Sequence, residues 1–91
     1  MTFIRVFWKH QLPSEPVEIY SELDSERWEM RKVEVFADGA MVWADGDRQF
    51  GATRLAVEPL PSSHEISKDP QFEVIDITGD EFERVWQRAH C

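Results

Sequence analysis

Asp38-Gly39, set between two apolar runs, constrains the fold of this chain more than any other pair of residues. Residues 28–37 precede it and Ala40-Met41-Val42-Trp43-Ala44 follows. A two-residue type I′ turn, which needs positive φ at both positions, folds such a sequence into an antiparallel hairpin. That turn sets Val35 opposite Val42, Phe36 opposite Met41 and Glu34 opposite Trp43. One side of the hairpin is then Val33, Val35, Val42 and Ala44, which suits a core. The other side is Phe36, Met41 and Trp43, joined by Tyr20 of the preceding strand and flanked by Glu18, Glu22, Glu29 and Arg31. Trp28 and Met30 are out of phase with Val33 and Val35, so one extra residue near Arg31-Lys32, a β-bulge, is predicted.

The remaining elements follow from periodicity and caps. Residues 2–8 read as a strand with Ile4, Val6 and Trp8 on one face and Phe3 and Phe7 on the other, which suggests an interior strand. Residues 17–23 alternate as a half-buried antiparallel strand, with Val17, Ile19 and Leu23 inward. Another hairpin arm is expected over residues 48–57, weakened by Gly51, and a short strand over 72–77. Ser62 and Glu65 are spaced as a capping box for a short helix that Asp69-Pro70 stops. Thr78 and Glu81 repeat the box, with Ile77 and Phe82 as a hydrophobic staple. Phe82, Val85, Trp86 and Ala89 then form one apolar stripe, and Asp80 can pair with Arg84 one turn on. The pattern predicts a single α+β domain over residues 1–91. It has a mostly antiparallel sheet of about five strands, one short helix and one C-terminal amphipathic helix that covers the sheet.

Charge narrows the function. The chain has 91 residues and a net charge of −8. The excess is confined to two blocks, −5 over residues 15–38 and −7 over residues 58–83. An acidic surface repels a phosphate backbone and anionic lipid, and it steers a basic protein toward contact. No apolar run approaches the ~20 residues of a membrane helix, and the N-terminus lacks a signal-peptide pattern. With a single cysteine, Cys91, at the last position, a reducing cytoplasm is expected.

Catalytic and cofactor chemistry finds little support. His10, His64 and His90 are far apart, and no His-x₃-His or Cys-x₂-Cys spacing occurs, so neither metal nor cofactor is expected. No serine sits in a nucleophile elbow, and Gly39, Gly46, Gly51 and Gly79 are scattered turn formers. A glutamate pair such as Glu22 and Glu29 would need a cleft and one raised pKa to act as acid and base.

Ile4-Arg5-Val6-Phe7-Trp8, the run EPVEIYSELD at 15–24 and the run WEMRKVEVFADG at 28–39 resemble an uncharacterised bacterial family of small stand-alone proteins, a domain of unknown function. Thr53-Arg54-Leu55, residues 61–66, Asp69-Pro70-Gln71-Phe72 and residues 82–86 are similar to it too, so the resemblance spans essentially the whole chain. It implies bacterial origin and a free-standing domain, and supplies no activity or catalytic residue. At Met41-Val42-Trp43 this chain is more apolar than the family pattern.

The expectation is therefore a non-enzymatic, acidic protein-binding module, immunity-like in that it would neutralise a basic bacterial toxin or effector. Tyr20, Phe36, Met41 and Trp43 would be its anchors, and Glu22, Glu29 and Arg31 its charged rim. The alternative is a small-ligand protein in which Arg27, Trp28, Arg31 and Trp43 line a pocket for a nucleotide-like molecule.

Overall fold

A computed structural model describes residues 1–90. In chain order the elements are β1 Thr2–Trp8, β2 Glu18–Leu23, β3 Glu29–Val35, β4 Met41–Ala44, β5 Gln49–Phe50, α1 Ser63–Ser67, β6 Phe72–Ile77 and α2 Gly79–Ala89. The strands form one six-stranded antiparallel sheet in the order β5-β4-β3-β2-β1-β6. This is the expected α+β class, with one strand more than anticipated. β1 is interior, as apolar residues on both of its faces require.

The hairpin at Asp38-Gly39 forms, but its register differs from expectation by one residue. Val35 faces Met41, Glu34 faces Val42 and Val33 faces Trp43. The reason lies in the turn. Gly39 has φ +89°, whereas Asp38 does not share the positive φ that a type I′ turn demands. Gly39 N–H donates to Phe36 O at 2.9 Å and Phe36 N–H to Ala40 O at 2.9 Å, so three residues form the loop. This is a type I turn closed by a left-handed glycine, the second common hairpin solution. A one-residue slip moves every side chain of a strand to the other face. Met41 and Trp43 accordingly join Val33 and Val35, while Val42 and Ala44 lie on the opposite side with Phe36.

The bulge is present one residue before its expected place. Glu22 faces Arg31 and Leu23 faces Glu29, leaving Met30 as the extra residue. The expected arm over residues 48–57 ends after Phe50. Gly51 has φ +87°, and a Cβ there would lie 2.4 Å from Val42 Cγ1, so the chain turns sharply over β4 at this point.

From there the chain crosses the whole sheet to reach β6 at the far edge. Polar anchors hold this crossing. Lys32 Nζ donates to Arg54 O at 3.0 Å, Ala56 N–H to Glu29 Oε1 at 2.8 Å, and Leu60 N–H to Arg27 O at 2.8 Å. Arg27 takes φ +68° and its Nε donates to Leu60 O and Pro61 O. Leu60 packs on a cluster of Ile4, Val6 and Leu23, the core of this face. The other face carries the second cluster, Tyr20, Val33, Phe82 and Val85, beneath α2. Neither helix is long and apolar enough to cross a membrane.

Candidate binding site along the second helix

The Thr78 capping box fixes where α2 begins. Thr78 Oγ1 accepts from Glu81 N–H at 3.1 Å, and the Glu81 carboxylate accepts from Thr78 N–H at 3.2 Å. At α1 the box is half made, because Ser62 Oγ accepts from Glu65 N–H while the Glu65 carboxylate pairs with Lys68. The α2 stripe packs as its spacing dictates: Phe82 is fully buried, Val85 nearly so, and Trp86 and Ala89 pack against the same cluster. Asp80 and Arg84 form no ion pair among the described residues, contrary to expectation.

Arg31 secures α2 to the sheet. Its Nε and Nη2 grip both Glu22 oxygens, at 2.7 and 3.0 Å, and Nη2 also reaches Glu83 of α2. The guanidinium lies 4.9 Å from the Phe82 ring centre and 5.0 Å from that of Trp86. Its hydrogen bond to Glu22 raises the Arg31 pKa above the ordinary arginine value despite burial. A bidentate pair stacked on two rings is a structural clamp rather than a free rim charge.

Beyond this clamp α2 ends over β4 and β5. Gly39, Met41, Trp43, Phe50, Arg88, Ala89 and His90 line an open cleft of about 430 Å³ there. Trp43 is its centre. The Trp43 ring stacks on His90 at 4.1 Å, meets Trp86 edge-on at 5.4 Å and runs nearly parallel to Phe50 at 6.4 Å. His90 Nδ1 lies 2.7 Å from Trp86 O, which orients the imidazole at the helix end. Phe50, a residue that sequence reasoning passed over, is 57% exposed. The sequence signal for it was an aromatic placed directly before Gly51, the residue that weakens the expected arm.

The seven candidate residues thus do not form one surface on the side away from α2. Met41 and Trp43 share the cleft. Tyr20 is buried in the core beneath α2, so it is no anchor. Glu22 and Arg31 neutralise each other on the α2 face. Phe36 faces the opposite way, beside Trp8, Ile19 and Val42. Glu29 also points to that opposite face, where it is 6% exposed and holds Ser21 Oγ at 2.7 Å as well as Ala56 N–H. The register shift and the bulge cause these departures. They also place Glu22 and Glu29 on opposite faces, so these two carboxylates do not make an acid–base pair. Nor do Arg27 and Trp28, at the β2–β3 turn, join Arg31 and Trp43 in one pocket, for Arg27 Nε is turned to the carbonyls of Leu60 and Pro61.

Tyr20 reports on this packing. Burial raises its phenol above the usual value, and the Glu18 charge raises it further. A folded-state pKa above the unfolded value of about 10 stabilises the fold below that pH, and the contribution is lost as pH rises through the folded pKa. Tyr20 is the only tyrosine, so absorbance titration of tyrosinate reads it alone. A midpoint above 10 is expected in the folded protein, and a midpoint at or below 10 would show an open Tyr20.

The family described as a domain of unknown function, DUF6881, matches residues 2–91. The chain belongs to that family. No curated protein and no solved structure matches it. The DUF6881 chain brings together no group of three His, Cys, Asp or Glu side chains able to hold a metal ion among the described residues.

Proposed function

We propose that this DUF6881 chain is a non-enzymatic interaction module that docks a basic protein at the cleft where β4 and β5 meet the end of α2. The observation that carries the reading is the exposed Phe50 beside Trp43 and Met41, an aromatic site left open at the edge of the sheet. An exposed ring beside a half-buried one costs hydration free energy, and aromatic residues are enriched among binding anchors. The adjoining turns carry Asp38, between β3 and β4, and Asp45 and Asp47, between β4 and β5; Asp45 pairs with Arg48, which lies over the Trp43 ring, and Arg88 lines the cleft itself. The Asp45 carboxyl accepts from Asp47 and Arg48 amides, which hold it below the usual range and keep it charged. With a net charge of −8, this composition favours a cationic partner.

The specific form of the proposal is immunity-like: neutralisation of a basic bacterial toxin or effector in the cytoplasm. Glu22 and Glu29 lie on opposite faces of the sheet and make no general acid–base pair, which supports binding over turnover. The test is site-specific photo-cross-linking from position 50 in cells that make the protein, with position 66 on α1 as control. A basic protein captured from position 50 alone, lost in Trp43→Ala and diminished by salt, is the expected result. An acidic partner, equal capture from position 66, or indifference to salt would overturn it.

A further inference from the structure

The flank of α2 that faces β1 and β2 carries a second groove, which shares Arg88 with the first. The chain has ten lysines and arginines against eighteen carboxylates, so a cation without an acidic neighbour is out of the ordinary. Arg5, Lys9, Arg31, Lys32, Arg48 and Lys68 each pair with a carboxylate. Arg27 has no carboxylate either, but its Nε donates to two carbonyls. Among the described residues, Arg54, Arg84 and Arg88 have neither a carboxylate nor a carbonyl on the guanidinium. Arg84 and Arg88 stand one turn apart on α2, on the flank away from the Arg31 clamp, and both line an open groove of about 420 Å³. Arg5 and Tyr20 lie on the sheet side of that groove, Val85 and Gln87 on the helix side, and Glu81 toward its other end. Arg5 is engaged by Glu18, and Glu81 by the capping box.

What remains for a ligand is two unpaired guanidinium forks at one end and, on the groove floor, the narrow accessible edges of the core residues Tyr20 and Val85. Two forks one turn apart suit a dianion with several acceptor oxygens, for which arginine geometry is selective. The groove is larger than a lone phosphate ion needs and falls within the ~300–1,000 Å³ range of small-molecule sites. The partial charge at the end of a helix, about −0.5, opposes an anion there, but two full positive charges outweigh it.

We propose that this groove binds a small phosphomonoester, with the phosphate between Arg84 and Arg88 and the organic body over the groove floor, where only the edges of Tyr20 and Val85 are reached. Glu81 fixes the direction, because a carboxylate at the other end repels the phosphate and accepts a hydrogen bond from a hydroxyl. The site does not depend on the protein-docking cleft, although Arg88 borders both.

Calorimetry on the full chain tests it with phenyl phosphate, inorganic phosphate and phenol as probes. Phenyl phosphate is expected to bind saturably and more tightly than inorganic phosphate, and phenol not to bind. Arg84→Ala and Arg88→Ala should each weaken phenyl phosphate at least about tenfold, the value of a charged hydrogen bond. Arg54→Ala removes an equally unpaired cation elsewhere and should leave the affinity unchanged. Absence of saturable binding, equal binding of phenol, or an equal loss in Arg54→Ala would overturn the proposal.

Discussion

Replacing Phe82 by alanine is expected to lower the unfolding free energy by about 4 kcal/mol, the usual cost of deleting a fully enclosed phenylalanine. Phe82 has no exposed surface. Its ring centre lies 5.6 Å from that of Phe3 and 6.2 Å from that of Trp86, and the Arg31 guanidinium sits on its face. Truncation empties the space between α2 and the sheet and leaves Arg31 bridging a void. Domains of this size have only about 5–15 kcal/mol of stability, so the loss is a large share. Denaturant unfolding monitored by the tryptophans measures it. A loss below about 1 kcal/mol would mean that α2 does not rest on this face.

Glu29→Ala should cost about 3 kcal/mol for a different reason, the removal of one member of a buried charged cluster. The carboxylate accepts from Ser21 Oγ and Ala56 N–H and lies 3.4 Å from Lys32 Nζ. Alanine leaves Ser21 Oγ and Ala56 N–H without their acceptor, in a place with little access to water, while Lys32 keeps only Arg54 O and a longer contact to Glu34. It also frees the segment that crosses the sheet, since the Ala56 contact is one of its few polar anchors. Glu29→Gln retains one acceptor oxygen and should fall between the two. Glu58→Ala, at an exposed position, should change stability by less than about 0.5 kcal/mol. Equal effects of the Glu29 and Glu58 substitutions in urea titrations would contradict a holding role for Glu29.

These two residues also mark where sequence reasoning succeeds and where it stops. The α2 stripe was legible because period and cap agree: Thr78 and Glu81 fix the start, and Phe82, Val85, Trp86 and Ala89 fall on one face whatever lies beneath. β1, β2 and β6 were legible for the same reason. Glu29 was not, because its fate depends on Met30 standing out of the ladder and on Ala56, 27 residues away in a segment with no periodicity. The alternation of Tyr20 with Val17, Ile19 and Leu23 points it away from their face, the one that a single-sided core would bury. In fact both sheet faces are covered, one by α2 and the other by the crossing segment.

The hairpin failed on a single residue. Asp-Gly satisfies a two-residue turn and also a three-residue turn with only the glycine at positive φ, and local sequence does not separate them. The tertiary context does. Val33 and Val35 must pair with residues that also face α2, and Trp43 finds Trp86 and His90 there. Two of the expected anchors, Met41 and Trp43, keep a place in the candidate site through this slip, while Phe36 is carried to the other side.

The position of Trp43 therefore decides the most. Nuclear Overhauser contacts across the β3–β4 ladder read it directly. A Val33–Trp43 cross-strand pair is expected, together with contacts from the Trp43 indole to the rings of Trp86 and His90. A Glu34–Trp43 pair, with an indole that sees neither ring, would put Met41 and Trp43 on the opposite face and remove the docking cleft.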